Sequence, residues 1–397
     1  MRKDIKKLLG LQHAWIDSWE IKERRLTVKI RSPRTSACCL ACGRSSKKIH
    51  QYHRRMIKHS IWQSRLVILD LTKRRFYCRR CHKPFSETMP GINRKQSTDN
   101  FRNILLKDLA FSSLSRIKEK TNVSSSVLYS VLRENHSKVE AIDWEKMEKN
   151  ITLGVDEHSF RGRRLVLTFT NITEKKLLGI GTDDRLATLE DFLRKADKSR
   201  VAEVCIDMKA GYLYAIKRIL PQASITVDKF HVVAYANRLL DEVRSVVLGN
   251  GNFRVKDVLF KGREKLNERQ KIKLENLFDR YGGWPSLKQA YFIKEKIRDF
   301  YQIKDKPIAE RKLNDIIMFC ETCDSRYLIG LAKTLKRWRP YILNYFNRYS
   351  TNAFTEGVHT KIKMMKRVSF GFRNINNYIA KMTLAFMPIL WLIHHTN

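Results

Sequence analysis

The chain has 397 residues, 43% of them hydrophobic, which is apolar material for several cores and excludes a largely disordered protein. Its 79 Lys and Arg against 40 Asp and Glu leave a formal net charge of +39. An excess of that size, spread along most of the chain, points to a polyanionic partner, with nucleic acid the first candidate.

No uncharged run reaches the ~18–20 apolar residues of a membrane span. The first seven residues carry charges throughout, unlike a secretory signal. The expectation is a soluble, cytoplasmic protein with no membrane partner. Eight cysteines in such a chain suggest metal ligands before disulfides.

Residues 11–32 alternate like a hairpin: WIDSWEI, a charged turn KERR, then LTVKIRS. Cys39-x-x-Cys42-Gly43 follows, and after 35 intervening residues comes Cys78-x-x-Cys81. Each pair lets a tight turn aim two thiolates at one ion, and two such turns complete a tetrahedral Zn²⁺ site. Between them, Arg65 to Cys78 reads as strand, as a zinc ribbon or knuckle pair requires. Cys38 could replace Cys39 in another register. His50, His53, His59 and His82 are possible substitutes, each more readily read as a surface histidine. The zinc would be structural, folding a domain over residues 1–95.

From Asn100 to about Ser137 the pattern is helical. NFRNILLKDLAF gives one amphipathic helix. Ser113 to His136 reads as a helix, a short turn at Thr121–Val123, and a second helix that Ser124 or Ser125 could cap. This is a helix-turn-helix pattern over residues 96–142, with Ser125, Ser126, Tyr129 and Arg133 facing a DNA groove. A plain helical linker is the alternative.

After a polar connector, ITLGVDE (Ile151 to Glu157) reads as a buried strand that ends on an acid, Asp156. Two further strand-like runs, Arg163 to Ile172 and Lys175 to Gly181, suggest an antiparallel meander. LATLEDFLRKAD is a helix, AEVCIDM (Ala202 to Met208) a strand ending on Asp207, GYLYAIKRIL a helix and ASITVDKF a strand. The order β-β-β-α-β-α-β over residues 143–232 is that of a ribonuclease H-like fold. Acids at the ends of two neighbouring strands would meet at one edge of its sheet.

Residues 233–348 are nearly all helical and too long for a loop, so they read as a helical insertion. Gly249–Gly251, Gly282-Gly283-Trp284-Pro285 and Pro307 interrupt them. Cys320-x-x-Cys323 within it reads as packing cysteines rather than a second zinc site. The helical pattern Thr351 to Arg367 follows, capped by Ser350 or Thr351 and carrying Glu356. Thr360 and Lys363 share the face of Glu356, and Asn352 lies one turn earlier on it. Three acids on two strands and a helix are what a site for two divalent ions and phosphodiester chemistry requires. The apolar stretch Met382 to Ile393, which contains Pro388, suits a buried helix.

With these residues in place, the chain resembles the bacterial insertion-sequence transposases of the ISL-three family. The matching stretches are the two Cys-x-x-Cys pairs, GVDEHSFRGRR, CIDMKAGYLYAIKRILPQASITVDKFHV and TNAFTEGVHTKIKMMKRVSFGFRN. The resemblance implies a multidomain α+β protein: zinc-binding β module, helix-turn-helix, and a ribonuclease H-like DDE core interrupted by the insertion and resumed over 349–397. It places the catalytic triad on Asp156, Asp207 and Glu356, which would hold Mg²⁺ or Mn²⁺. Asp228 and His231 would support it through an Asp-x-x-His signature, and Asp228 is the rival for second acid. The family more often has Ser-Asn-Gly where this chain has Thr351-Asn352-Ala353, and Asn at the position of His359.

The implied activity is metal-dependent cleavage and strand transfer on double-stranded DNA, at terminal inverted repeats and then target DNA. Lys363, Lys366 and Arg367 would position phosphates. A homo-oligomer working on DNA at the nucleoid is implied as well. A DNA-binding regulator with an inactive core, or a ribonuclease H-like nuclease that does not join strands, are the alternatives.

Overall fold

The computed structural model describes residues 2–93, 95–140, 142–249, 255–281 and 285–387. The chain divides into two compact units, residues 1–139 with 365–397, and residues 140–364.

The first unit opens with α1 (Arg2–Leu8) and the expected hairpin, β1 (Trp15–Lys22) and β2 (Arg25–Arg31). Two-residue strands β3 (Ala37–Cys38) and β4 (Ser45–Ser46) pair next, followed by the long hairpin β5 (Ile49–Trp62) and β6 (Arg65–Cys78), and then β7 (Lys83–Ser86). The main sheet runs β1-β2-β6-β5, with β7 also on β6. Its β2–β6 pair is parallel, the others antiparallel. Leu26, Val28 and Ile30 of β2 are buried in alternation, the period-2 burial of a strand with one face on a core, and pack with Ile57, Val67, Leu69 and Leu71, whereas β6 is buried continuously from Val67 to Leu71.

Three helices follow: α2 (Asp99–Phe111), α3 (Leu114–Thr121) and α4 (Ser125–Glu140). Thr98 and Ser113 cap the first two, their hydroxyls accepting from Phe101 and Arg116 N–H. Asn122, left-handed at φ 48°, ends α3 and starts the short turn into α4. The Lys58 ammonium holds that turn through the carbonyls of Thr121 and Asn122. On α4, Glu134 accepts from Lys95 (2.7 Å), Arg102 (2.6 Å) and Ser130 (2.8 Å). Burial opposes its charge, but these donors outweigh it and hold the carboxyl at about 2.

In the second unit β8 (Ile151–Arg161), β9 (Arg164–Asn171) and β10 (Lys176–Ile180) form the expected meander. After α5 (Leu186–Lys195) come β11 (Val201–Ile206), α6 (Ala210–Ile219) and β12 (Ser224–Val227). Strand order is β10-β9-β8-β11-β12, with β11 parallel to both β8 and β12. The last strand is shorter than its sequence suggested. Asp228 to Phe230 leave the sheet because Asp228 is the N-cap of α7 (Lys229–Leu248) and starts a helix instead.

Residues 233–348, where described, are mainly helical: after α7 come α8 (Lys256–Leu259), α9 (Glu268–Arg280), α10 (Pro285–Phe300), α11 (Lys306–Thr322), α12 (Arg326–Leu343) and α13 (Tyr345–Arg348). The boundary drawn at 232/233 falls inside α7. Pro307 does not break a helix. It lies in the first turn of α11, behind the Asp305 cap, where its missing N–H costs nothing. Cys320 and Cys323 are buried in the apolar core and belong to no metal-type cluster among the described residues. Gly251, Gly282, Gly283 and Trp284 lie outside the described residues.

Helix α14 (Ala353–Val368) carries Glu356, and α15 (Ile375–Ala385) closes the described chain. The expected segment 349–397 divides between the two units, with residues 365–397 grouped with the first. The cause is α15: its buried Lys381 donates to the carbonyls of Leu109 and Ser112, at the C-terminal end of α2. Burial pushes that ammonium down to about 8. Of the apolar stretch 382–393, residues 382–385 are helical and buried, and 388–393 lie outside the described residues.

Candidate active site and zinc site

Two clusters of metal-type donors form among the described residues. The first is the thiol quartet. Cys39 and Cys42 sit in the tight turn between β3 and β4, and Gly43, at φ +72°, supplies the left-handed residue that turn needs. Cys78 ends β6, and Cys81 lies in the turn into β7. Ser46 Oγ donates to Tyr77 O at 2.7 Å, and Tyr77 N–H to Lys48 O at 2.9 Å, which ties one turn to the other.

The four sulfurs lie within 4.8 Å of one another, with Cys42 and Cys78 at 3.5 Å and Cys39 and Cys81 at 4.0 Å. Four convergent thiols from two knuckles fit a tetrahedral zinc ion. Cys38 is exposed and outside the quartet. His59 is spoken for elsewhere: it is buried, with Nδ1 3.0 Å from Thr98 Oγ1 and Nε2 2.7 Å from Leu9 O. His50, His53 and His82 are also outside the quartet.

The second cluster joins Asp156, Asp207 and His231, whose ligand atoms lie within 4.8 Å of one another. Asp156 is on β8, and Asp207 follows the end of the adjacent parallel strand β11. His231 comes from the first turn of α7, where Asp228 is the N-cap residue without a side-chain cap bond and its backbone O accepts from His231 N–H at 3.1 Å. That is the physical content of the Asp-x-x-His spacing. His231 Nε2 stands 2.8 Å from Asp207 Oδ1. The approach is ionic rather than well aligned, for that buried oxygen has no properly directed hydrogen-bond donor.

Asp156 is buried and accepts only its neighbour's N–H, from Glu157 at 2.7 Å, among the bonds described. Burial first, and the Asp207 charge second, push its carboxyl up to about 7. Asp228, fully buried, is pushed up to about 6 by burial. For His231 burial acts against the cation, but Asp207, Asp156 and Asp228 outweigh it and raise its pKa. Two carboxylates crowded in a poorly solvated place, one with an orphaned oxygen, fit a divalent cation, which would relieve both penalties.

Asp228 stands outside this cluster, its Oδ1 3.4 Å from Asn352 N–H and its Oδ2 unpartnered. Glu356 is exposed and also outside it. Its helix nonetheless packs on the face of β8 and β9 that carries Asp156. One turn before Glu356, buried Asn352 donates from Nδ2 to Val155 O at 3.2 Å. One turn after it, buried His359 has Nδ1 3.6 Å from Asp156 Oδ2. Glu356 therefore lies on the helix face between two residues that reach the Asp156 strand.

The docking of α14 is polar. Thr355 and Thr170 hydroxyls meet at 2.7 Å. Thr168, directly across from Asp156 in the ladder, has its hydroxyl 2.9 Å from His359 Nε2 and 2.7 Å from His158 Nδ1. Burial, with Lys363 nearby, lowers His359 to about 4, so it packs as the neutral ring. At the start of α14, buried Glu203 accepts from the hydroxyls of Thr152 (3.1 Å), Thr226 and Ser350. Buried polar networks that are satisfied in only one arrangement specify that arrangement. His158, Thr168 and Glu203 were not legible as site residues, because only folding brings their partners to them.

Gly154, two residues before Asp156 and on the same face, permits this approach. A Cβ there would lie 2.5 Å from Thr170 Oγ1, 2.7 Å from Thr355 Oγ1 and 2.8 Å from Asn352 Oδ1. Gly154→Ala is expected to lower the unfolding free energy by about 1–3 kcal/mol through overpacking. Chemical denaturation of the full chain checks it, and an unchanged midpoint would mean that α14 is not seated on this strand.

The proposed DNA-contact residues fall on accessible surface. On α4, Ser126 and Arg133 are exposed and Ser125 and Tyr129 half-buried, while Leu128, Val131 and Leu132 face the core. On α14, Lys363 and Arg367 are exposed and Lys366 half-buried. No helix among the described residues is long and apolar enough to cross a membrane.

Comparison with known proteins decides the family. The model of the ISL3-type DDE domain, described as a transposase, matches residues 153–382, more than half of the chain. The chain belongs to the ISL3 family of DDE transposases. A second model, the zinc finger of transposases of the IS204/IS1001/IS1096/IS1165 group, matches residues 35–81 of this transposase. That range spans all four thiols of the quartet.

Among curated relatives, the transposase for insertion sequence element IS1001 of Bordetella parapertussis is 24% identical, over 97% of this chain and 98% of its own. The transposase for insertion sequence element IS1557 of Mycobacterium tuberculosis is 26% identical, over 61% of this chain and 63% of its own. Membership implies a divalent metal at the catalytic domain of the transposase and zinc at its ribbon.

Proposed function

We propose that this transposase recognises the terminal inverted repeats of an insertion sequence, cuts DNA there and joins the freed 3′ ends to target DNA. The observation that carries this reading is the convergence of Asp156 and Asp207 from adjacent strands, on a sheet whose Asp156 face also receives the helix of Glu356. Three antiparallel strands followed by two parallel ones joined through helices support a ribonuclease H-like core (143–232) with a helical insertion (233–348).

Two Mg²⁺ or Mn²⁺ ions about 3.5–4 Å apart, when bound, would activate the attacking water or 3′-hydroxyl and stabilise the leaving oxygen. Asp156 would be shared between them, and Asp207 and Glu356 would each hold one. His231 orients Asp207, and Asp228 sets the helix turn that carries His231. Thr168 and His359 line the Asp156 side and exclude water from it.

End recognition falls to the zinc-binding domain (1–95) and to α3 and α4 acting as a helix-turn-helix (96–142). Ser125, Ser126, Tyr129 and Arg133 face the groove, and Lys363, Lys366 and Arg367 position phosphates. Acting on chromosomal DNA, the enzyme works at the nucleoid, and handling two ends together calls for at least two copies.

Pre-cut and uncut terminal DNA, each incubated with the protein, Mg²⁺ and a supercoiled target, test this directly. Covalently joined products are expected. Cleavage of uncut ends without any joined product would replace this reading with a simple nuclease, and binding without either reaction would replace it with a regulator.

A further inference from the structure

We propose that Glu157 is a positioning residue: from the face of the sheet opposite Asp156, it holds the segment Lys209–Tyr212 and, through it, keeps Asp207 within reach of a divalent ion shared with Asp156. This rests on the metal-site reading above and adds to it a residue beyond the triad.

Successive side chains of a strand leave on opposite faces, so Asp156 and Glu157 point apart. Asp156 looks toward α14. Glu157 looks toward α6, and its side chain is only 10% exposed. Its Oε1 accepts from both the Lys209 ammonium and the Tyr212 hydroxyl. Lys209 is the N-cap residue of α6, and Tyr212 is buried in the first turn of that helix. The Tyr212 hydroxyl also reaches Asp184 O at 3.2 Å, and the Lys209 ammonium lies 5.3 Å from the centre of the Tyr212 ring. One carboxylate thus gathers the two side chains that bracket the start of α6.

That start is continuous with the second acid. Asp207 lies just beyond the last residue of β11, and Lys209 N–H donates to Asp207 O at 2.7 Å in a tight turn. A residue past a strand end has no ladder to hold it. Without an ion, the like charges of Asp156 and Asp207 favour swinging this turn away from β8. His231 restrains Asp207 on one side. The Glu157 contacts restrain the turn on the other, with a charge-assisted bond and a hydroxyl bond in a half-buried place where such bonds are strong. The site thereby holds its carboxylates together before metal arrives.

The test is Mn²⁺ binding by calorimetry on the full-length, zinc-loaded protein without DNA, which reads the site independently of catalysis. Glu157→Ala is expected to raise the Kd for Mn²⁺ about tenfold or more, the scale on which partners that orient metal ligands act. Tyr212→Phe should raise it less, and Glu157→Gln, whose amide oxygen still accepts both bonds, should recover most of the affinity. Thermal midpoints near that of the parent protein would show that the weakening is local.

An unchanged Kd in a folded Glu157→Ala protein overturns the proposal. If that variant does not fold, Tyr212→Phe decides in the same way, an unchanged Kd again counting against it. Asp156→Asn is the control: Mn²⁺ binding indifferent to that change would refute the metal-site reading itself, a different outcome from indifference to Glu157 alone.

Discussion

Asp156→Ala is expected to give a protein that still binds terminal DNA but cleaves it more slowly by roughly 10⁴-fold or more, the scale on which loss of one member of a catalytic unit acts. The size follows from position. Asp156 is the buried member of its cluster, set within a strand whose residues from Ile151 to Asp156 are all buried, and its Oδ2 lies 3.6 Å from His359 Nδ1 of α14. Alanine there removes the carboxylate common to the proposed ions and leaves the surrounding apolar packing untouched. The folded state should not suffer, because a buried carboxyl pushed up to about 7 stabilises nothing at neutral pH without its cation. Gel-shift and cleavage assays on the same end DNA separate the two effects. A variant that cleaves normally would remove Asp156 from the mechanism.

The second large effect concerns the ribbon. Stripping zinc, or replacing Cys78 with serine, is expected to unfold the two knuckles and to abolish sequence-specific end binding. The strands there are two residues each in β3 and β4, far too short to persist without a staple. Structural zinc supplies about 10–16 kcal/mol of apparent binding free energy in small zinc-finger peptides, which becomes folding free energy. Footprinting on terminal DNA before and after chelation checks it, with zinc content measured in parallel. The catalytic unit should retain its Mn²⁺ affinity, since Asp156, Asp207 and His231 belong to the other compact unit. End binding that survives complete zinc loss would contradict this role for the ribbon.

Much of this architecture was legible in the chain because its signals are local. Two Cys-x-x-Cys pairs around a strand pattern specify paired knuckles, and the run from Ile151 to Asp156 is apolar enough to demand a buried strand. The meander and the β11–α6–β12 alternation follow from period and turn residues alone. The error at Asp228 was also local: after Ser224–Val227 the run Asp-Lys-Phe fits a continuing strand as well as a helix start, and only the helix beyond decides. What sequence could not give were partnerships across the fold. Thr168 meets His359 at a separation of 191 residues, and Lys381 reaches Leu109 across 272. The polar seat of α14 and the grouping of residues 365–397 with the first unit both come from such pairs.

The central claim is that three carboxylates, Glu356 among them, share metal ions. Crystals of the zinc-loaded transposase with cut terminal DNA, soaked in Mn²⁺ and measured at the manganese edge, test it most directly. The account predicts two anomalous peaks about 3.5–4 Å apart, one held by Asp156 and Asp207 and the other by Asp156 and Glu356. A single ion on Asp156, Asp207 and His231, with Glu356 turned to solvent, would contradict it.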